Sequence, residues 1–344
     1  MQNGSWVQRI TRDITDGLLL VDLSGMIIYI NPHGKEILND PMLTEGIRYA
    51  QFMESEVTGI NDEFHQYVLD SIYDKETTHK GKIKYTSPDG KVHYFQMSSS
   101  FAFSDDGKEK LGVILQFSDI TNEHEIQIRY NDAVKILVAM VVIVSANNLV
   151  VALWDHLGHP FRSAIITILL EFVGVAGTLF ALKYTSLTVS DFGLGKGSDI
   201  KRTLVTDGIL TAAILGLMFI AKLIIKAVRP DIIAPDAPMF YWDHWHWEAT
   251  FYPVTVFTQE LLTRGATQGS LKMVLPPGTP AIIPIILSSF MFGALHIHKG
   301  LMFMLGAMLL LSVFGLLYNK QKTIWGLCFP HYFLGLSLTL LWGV

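Results

Sequence analysis

The chain has 344 residues, half of them hydrophobic and 17% charged, with a net charge of -5 and a mean hydropathy of +0.35. So little charge excludes an ordinary soluble protein, and the weak acidic balance argues against a nucleic-acid partner. The single cysteine, Cys328, excludes an intrachain disulfide and any cysteine-based zinc site. The composition is also divided: residues 1–132 are rich in polar and charged side chains, and long apolar runs begin at Ala133. Residues 1–16 are polar and hold no apolar core, so no cleavable leader is expected.

In chain order, residues 17–21 and 27–30 read as two strands joined by the turn Asp22-Leu-Ser-Gly25. Asn31-Pro32-His33-Gly34 stops the second strand, and a short helix begins over 35–38. Phe64, Val68, Leu69 and Ile72 have helical spacing. Strands are predicted at 81–85, 92–98 and 111–119, with turns at Ser87-Pro-Asp-Gly90 and Ser104-Asp-Asp-Gly107. This order, with DGLLLVDLSGMIIYINPHGKEIL near the front and GVILQFSDITNEHE at the end, resembles a PAS sensor domain over about residues 8–122. The resemblance implies an α+β fold, an antiparallel sheet with short helices, and a small-molecule, haem or flavin site or a dimer contact. His33, His65, His79 and His93 are the candidate haem ligands, and surface or packing histidines are the plainer alternative. The PAS ligand is left unassigned.

The first division is therefore a sensor domain over 1–122 and a charged connecting helix over 123–135. That helix runs into the first apolar segment and is placed to transmit a change in the sensor, or to act as a tether. An all-α membrane bundle follows, with about seven spans predicted at 133–154, 163–182, 204–225, 251–275, 281–298, 301–318 and 323–343. Spans one to three fill 133–228, an interfacial loop fills 229–250, and spans four to seven fill 251–344. With the N-terminus inside, nine Lys and Arg flank the inner side against five on the outer side. The expected location is the plasma membrane, with the PAS domain cytoplasmic. Tyr241-Trp-Asp-His-Trp-His-Trp-Glu248 reads as an aromatic belt at the membrane boundary. Asp243, His244, His246 and Glu248 are its alternative reading as metal ligands.

Ionisable residues inside apolar spans are functional candidates, because the membrane makes them costly. The fourth span carries Gln259-Glu260-Leu-Leu-Thr-Arg264-Gly265, with Glu260 and Arg264 on one helix face. The fifth ends Phe292-Gly-Ala-Leu-His296, and the seventh holds His331 after Pro330. Glu171 and Asp207 are further acids within spans, each a candidate base or a partner for Arg264. Cys328 and His331 are three apart, which is taken as coincidence.

Together the three segments resemble the type II CAAX prenyl protease family, also called Abi or CPBP, over about residues 205–344. The family pattern is Glu-Glu-x-x-x-Arg, then Phe-x-x-x-His, then His-x-x-x-Asn. Here it reads Gln259-Glu260-x-x-x-Arg264, Phe292-x-x-x-His296 and His331-x-x-x-Gly335. The resemblance implies an intramembrane endopeptidase in which a Glu and a His activate water and a His and an Asn steady the oxyanion. The substrate it implies is a membrane-associated or lipidated peptide. Its catalytic set carries over here as Glu260, His296, His331 and Arg264, with Gln259 at the first acidic position. A metal, if one is used, falls to His296 and His331; no cofactor is assigned. An amide cannot take a proton from water, so Gln259 removes the family's base, and Gly335 removes a side-chain donor. The expected function is a PAS-regulated peptidase, with an inactive sensor or binding module as the alternative and a transporter last. Membrane lipids and a second copy through the PAS domain are the expected partners.

Overall fold

The computed structural model describes residues 11, 14–55, 59–74, 77–104, 106–158, 163–197, 199–245 and 248–343. The chain divides into two compact units, Met1–Gln127 and Ile128–Val344.

The first unit is α+β. Strands β1 (Gly17–Asp22), β2 (Ile27–Ile30), β3 (Lys80–Thr86), β4 (Val92–Phe103) and β5 (Lys110–Asp119) form one sheet in the order β2-β1-β5-β4-β3. All neighbouring strands pair antiparallel. Helices α1 (Pro32–Leu38), α2 (Tyr49–Ser55) and α3 (Asp62–Tyr73) are inserted between β2 and β3. Alternate residues Leu19 and Val21 on β1 and Val113, Leu115 and Phe117 on β5 are buried, the period-two signature of a half-buried sheet. They pack with Phe64 and Val68 of α3 in one core. The predicted strands are all present. Strand β4 runs five residues further than the periodicity indicated, because it stays paired with β5 as far as Phe103–Lys110. Helix α2, which carries no clear apolar period, was not foreseen.

Asn31 explains how the second strand becomes a helix. Its buried side chain accepts from the amides of Leu18 and Gly34 at 2.9 and 2.8 Å, and donates to the Asp16 carbonyl at 2.9 Å. It thus caps α1, whose first residue is Pro32, and binds the start of β1.

The second unit is helical. It comprises α4 (Thr121–His156, which begins in the first unit), α5 (Ser163–Tyr184), α6 (Ile200–Val228), α7 (Glu248–Glu260), a π-helical segment (Leu261–Gln268), α8 (Gly269–Val274), α9 (Ile282–Gly293), a 3-10 turn (Ala294–Lys299), α10 (Leu301–Gln321) and α11 (Cys328–Leu340). Among the described residues, four stretches are long and apolar enough to cross a membrane: α4, α6, α9 with its 3-10 extension, and α10. Their outward residues are apolar, such as Val142 at 61% exposure, Leu217 at 66% and Leu309 at 70%, the reverse of a soluble surface.

The described residues thus support four of the seven expected spans at full length. Helix α5 has 22 residues, of which the stretch Phe172–Tyr184 is an apolar helix. The expected fourth span runs without a gap through α7, the π-helical segment and α8, whereas α11 has only 13 residues. At 1.5 Å per residue α11 is about 20 Å long, short of the ~30 Å hydrocarbon layer.

Lys222, on α6, is buried but fully engaged: its ammonium donates to the carbonyls of Pro238, Met239 and Leu341 at 2.8, 3.1 and 2.6 Å. This pins the loop before α7 to the C-terminal end of α11.

Candidate functional site

The site is built where α7 gives way to the π-helical segment. Glu260 is the last residue of α7, and Arg264 lies within the wider-wound segment; both are 0% exposed. A π-helical stretch carries extra residues per turn and is often found at functional sites. Here it is held against the preceding connection: a Cβ at Gly265 would lie 2.4 Å from the Phe192 carbonyl oxygen, so a side chain there would force the two backbones apart.

The Glu260 carboxylate faces two partners. His331 Nδ1, from α11, is 2.7 Å from Oε1, and Arg264 Nε is 3.4 Å from Oε2. A carboxylate only accepts, so Nδ1 carries the hydrogen and the neutral ring's lone pair is on Nε2. Phe314 of α10 packs on the imidazole with ring centroids 5.7 Å apart. Arg264 donates to the Leu311 carbonyl at 2.6 Å and to Gln268 Oε1 at 3.0 Å. Gln268 in turn donates to the Gly315 carbonyl at 3.1 Å. The result is one buried polar chain, Gln268–Arg264–Glu260–His331, crossing from α10 to α11.

Of the expected site residues, three are linked directly to one another. Glu260, Arg264 and His331 come together. His296 stands beyond the end of α9 with its ring stacked on Phe303 at 5.7 Å, and its buried Nδ1 has no hydrogen-bond partner among the described residues. Gln259 is half-buried and makes no hydrogen bond to the trio among the described residues. Gly335 lies one turn after His331, and its missing side chain has a cause: a Cβ there would be 1.9 Å from the Tyr252 hydroxyl oxygen and 2.8 Å from its Cζ. The family's Asn has no room beside this tyrosine.

Asp207 is not a partner of Arg264. It is buried on α6 and accepts from Gln321 Nε2 at 2.6 Å. The side chain of Glu171 lies outside the described residues. No group of three or more His, Cys, Asp or Glu able to hold a metal occurs among the described residues. In the aromatic loop, His244 is 3.8 Å from Asp243; His246 and the Glu248 side chain lie outside the described residues. Each candidate haem histidine has a protein partner. His65 is bonded to Tyr49 at 2.9 Å and His93 to Asp119 at 2.8 Å. His79 is 3.3 Å from Asp74 and His33 3.5 Å from Glu36.

Gln268 and Tyr252 were not singled out as site residues in the sequence. The i,i+4 spacing of Arg264 and Gln268 was an available signal for the first. Nothing local signals the second, which meets Gly335 only in the folded bundle.

Residues 242–336 match the family model described as Type II CAAX prenyl endopeptidase Rce1-like. No curated protein matches the chain. Several solved PAS domains are similar. One is from a protein of Colwellia psychrerythraea, with 18% identity, 34% of this chain and 98% of that chain covered, and a TM-score of 0.27. A second is from an HTR-like protein of Haloarcula marismortui, with 16% identity, 35% and 93% coverage, and a TM-score of 0.26. A third is from Bordetella pertussis BvgS, with 14% identity, 34% and 85% coverage, and a TM-score of 0.29. Residues 242–336 are thus similar to an Rce1-like CAAX protease domain, and they follow an N-terminal α+β unit in a chain whose described residues include four helices long and apolar enough to cross a membrane.

Proposed function

We propose that the helical unit is an intramembrane endopeptidase acting on a membrane-associated or lipidated peptide, with the N-terminal unit as its cytoplasmic sensor and the plasma membrane as its site. The observation that carries this is the 2.7 Å bond between buried Glu260 and His331. It orients an imidazole so that Nε2 accepts a proton, which is the arrangement a general base requires. In this reading His331 Nε2 takes a proton from water as the water attacks a peptide carbonyl, and Glu260 stabilises the imidazolium. Arg264 fixes Glu260, and His296 serves as a donor to the developing oxyanion. The dyad replaces the base that Gln259 cannot supply.

A second reading, an inactive sensor that binds a membrane peptide without cutting it, is favoured by Gln259 and by Tyr252 filling the space beside Gly335. The test is cleavage of a prenylated peptide and a transmembrane-peptide pool by the full chain in lipid. The variants are Glu260→Gln, His331→Gln, and a repaired chain with Gln259→Glu, Gly335→Asn and Tyr252→Ala. Cleavage by wild type that is lost in His331→Gln supports the dyad. Cleavage only by the repaired chain supports the binding reading. Deleting residues 1–122 is expected to change turnover; an unchanged rate would remove the sensor role.

A further inference from the structure

A cavity of about 360 Å³ opens beside the far end of the buried polar chain, lined among others by Gln268, Lys272, Tyr318, Asn319 and Lys322. Neither Glu260 nor His331 lines it. Its place in the fold is defined by the residues themselves. Lys272 is on α8, and Lys322 is the first residue after α10, a helix apolar enough to span a membrane, so the cavity lies at a membrane–water boundary.

Two features mark the cavity as anion-seeking. Lys272 and Lys322 both line the cavity, and like charges facing one space repel unless an anion sits between them. The acid on the same wall does not serve them: Asp191 is held by Arg129 at 2.7 Å and by the Thr188 hydroxyl at 2.8 Å. Among the described residues, the Lys322 ammonium donates to the Asn319 side-chain oxygen at 3.2 Å, a neutral acceptor. The Tyr318 hydroxyl and the Asn319 amide add neutral donors to the lining.

We infer that this cavity binds a phosphate group, presented by the headgroup of an anionic membrane phospholipid, between Lys272 and Lys322. A phosphate fits because it offers several strong acceptors to donors converging from different sides, and a headgroup places it at this depth. The inference is independent of peptidase activity. Occupancy also sets the pH behaviour. Burial, followed by the hydrogen bond and charge of Lys272, pushes the Lys322 amine down to about 8. The titratable groups facing it are Lys272 from α8, Tyr318 on its own helix and the paired Asp191. Binding is therefore full below that value and weakens as the pH rises through it and Lys322 loses its proton.

The test uses the full chain in nanodiscs of phosphatidylcholine, with and without phosphatidylglycerol. Retained lipid is measured by native mass spectrometry, and inorganic phosphate is added as competitor. Each lysine bonded to the phosphate is a charge-assisted donor, so Lys272→Gln with Lys322→Gln is expected to weaken phosphatidylglycerol retention by roughly tenfold or more. Lys320→Gln, a neighbouring lysine outside the cavity, is the control and is expected to leave retention unchanged. Displacement by inorganic phosphate would identify free phosphate as a second source of the same chemistry; no displacement assigns the site to the headgroup. Equal retention in the double variant and wild type overturns the inference. So does an equal loss in Lys320→Gln, which would mean general surface attraction.

Discussion

Glu260→Gln is the most informative single change, because it keeps the shape of the site and removes only its charge. Glu260 and Arg264 are both 0% exposed, and their closest approach is 3.4 Å. At that distance the Coulomb attraction is about 5 kcal/mol for an effective dielectric near 20. The guanidinium keeps its bonds to Leu311 and Gln268 in the variant but has no counter-charge there, and breaking such a buried pair costs about 3–5 kcal/mol. The new amide still accepts from His331 Nδ1, so that bond is not the source of the loss. For a unit of this size the apparent Tm falls by roughly 6–20 °C, at about 2–4 °C per kcal/mol. The assay is thermal unfolding of the full chain in detergent, followed by intrinsic fluorescence. The partner change Arg264→Met is run alone and together with Glu260→Gln. The pair predicts that the double variant is no less stable than the worse single one, because the second change removes the stranded charge. Strict additivity of the two losses, or a Glu260→Gln protein with the wild-type Tm, would refute the argument.

Three further outcomes follow from particular contacts. Gly335→Ala places a Cβ 1.9 Å from the Tyr252 hydroxyl and is expected to cost about 1–3 kcal/mol by overpacking; Tyr252→Leu in the same chain recovers most of it, read as a shift in Tm. Asn31→Ala removes the side-chain bonds that join β1 to α1 and is expected to cost about 2–4 kcal/mol locally, seen as faster hydrogen exchange at the Leu18 and Gly34 amides. Burial pushes the Asp119 carboxyl up, but hydrogen bonds from the Thr121 hydroxyl and amide and from His93 outweigh it and hold the carboxyl below its usual range. That stability is present above the unfolded value of about 4 and is lost as the pH falls through the lower folded value. The protection of amides at the junction of β5 and α4, corrected for the intrinsic exchange rate, should therefore fall in acid, and Asp119→Asn should flatten the dependence.

Much of the architecture was legible in local pattern. Alternating apolar residues in β1 and β5 identify strands because a sheet buries one face, and that needs only near neighbours in sequence. The i,i+4 spacing of Glu260 and Arg264 placed them on one face because helix geometry is local. The apolar runs after Ala133 announced helices of membrane type for the same reason. Their local winding and length were not legible. Hydropathy does not record that the fourth run winds into a π-helical segment or that the last helix is confined to 13 residues after the Thr323 turn. Tertiary structure alone decided which charged groups meet. His331 and Glu260 are 71 residues apart, Asp207 found Gln321 instead of Arg264, and the missing side chain at Gly335 is explained by Tyr252 on another helix. Each depends on how helices pack around one another. A buried charge takes its partner from whichever packed element reaches it, and that choice is not encoded in the spacing of residues along one helix.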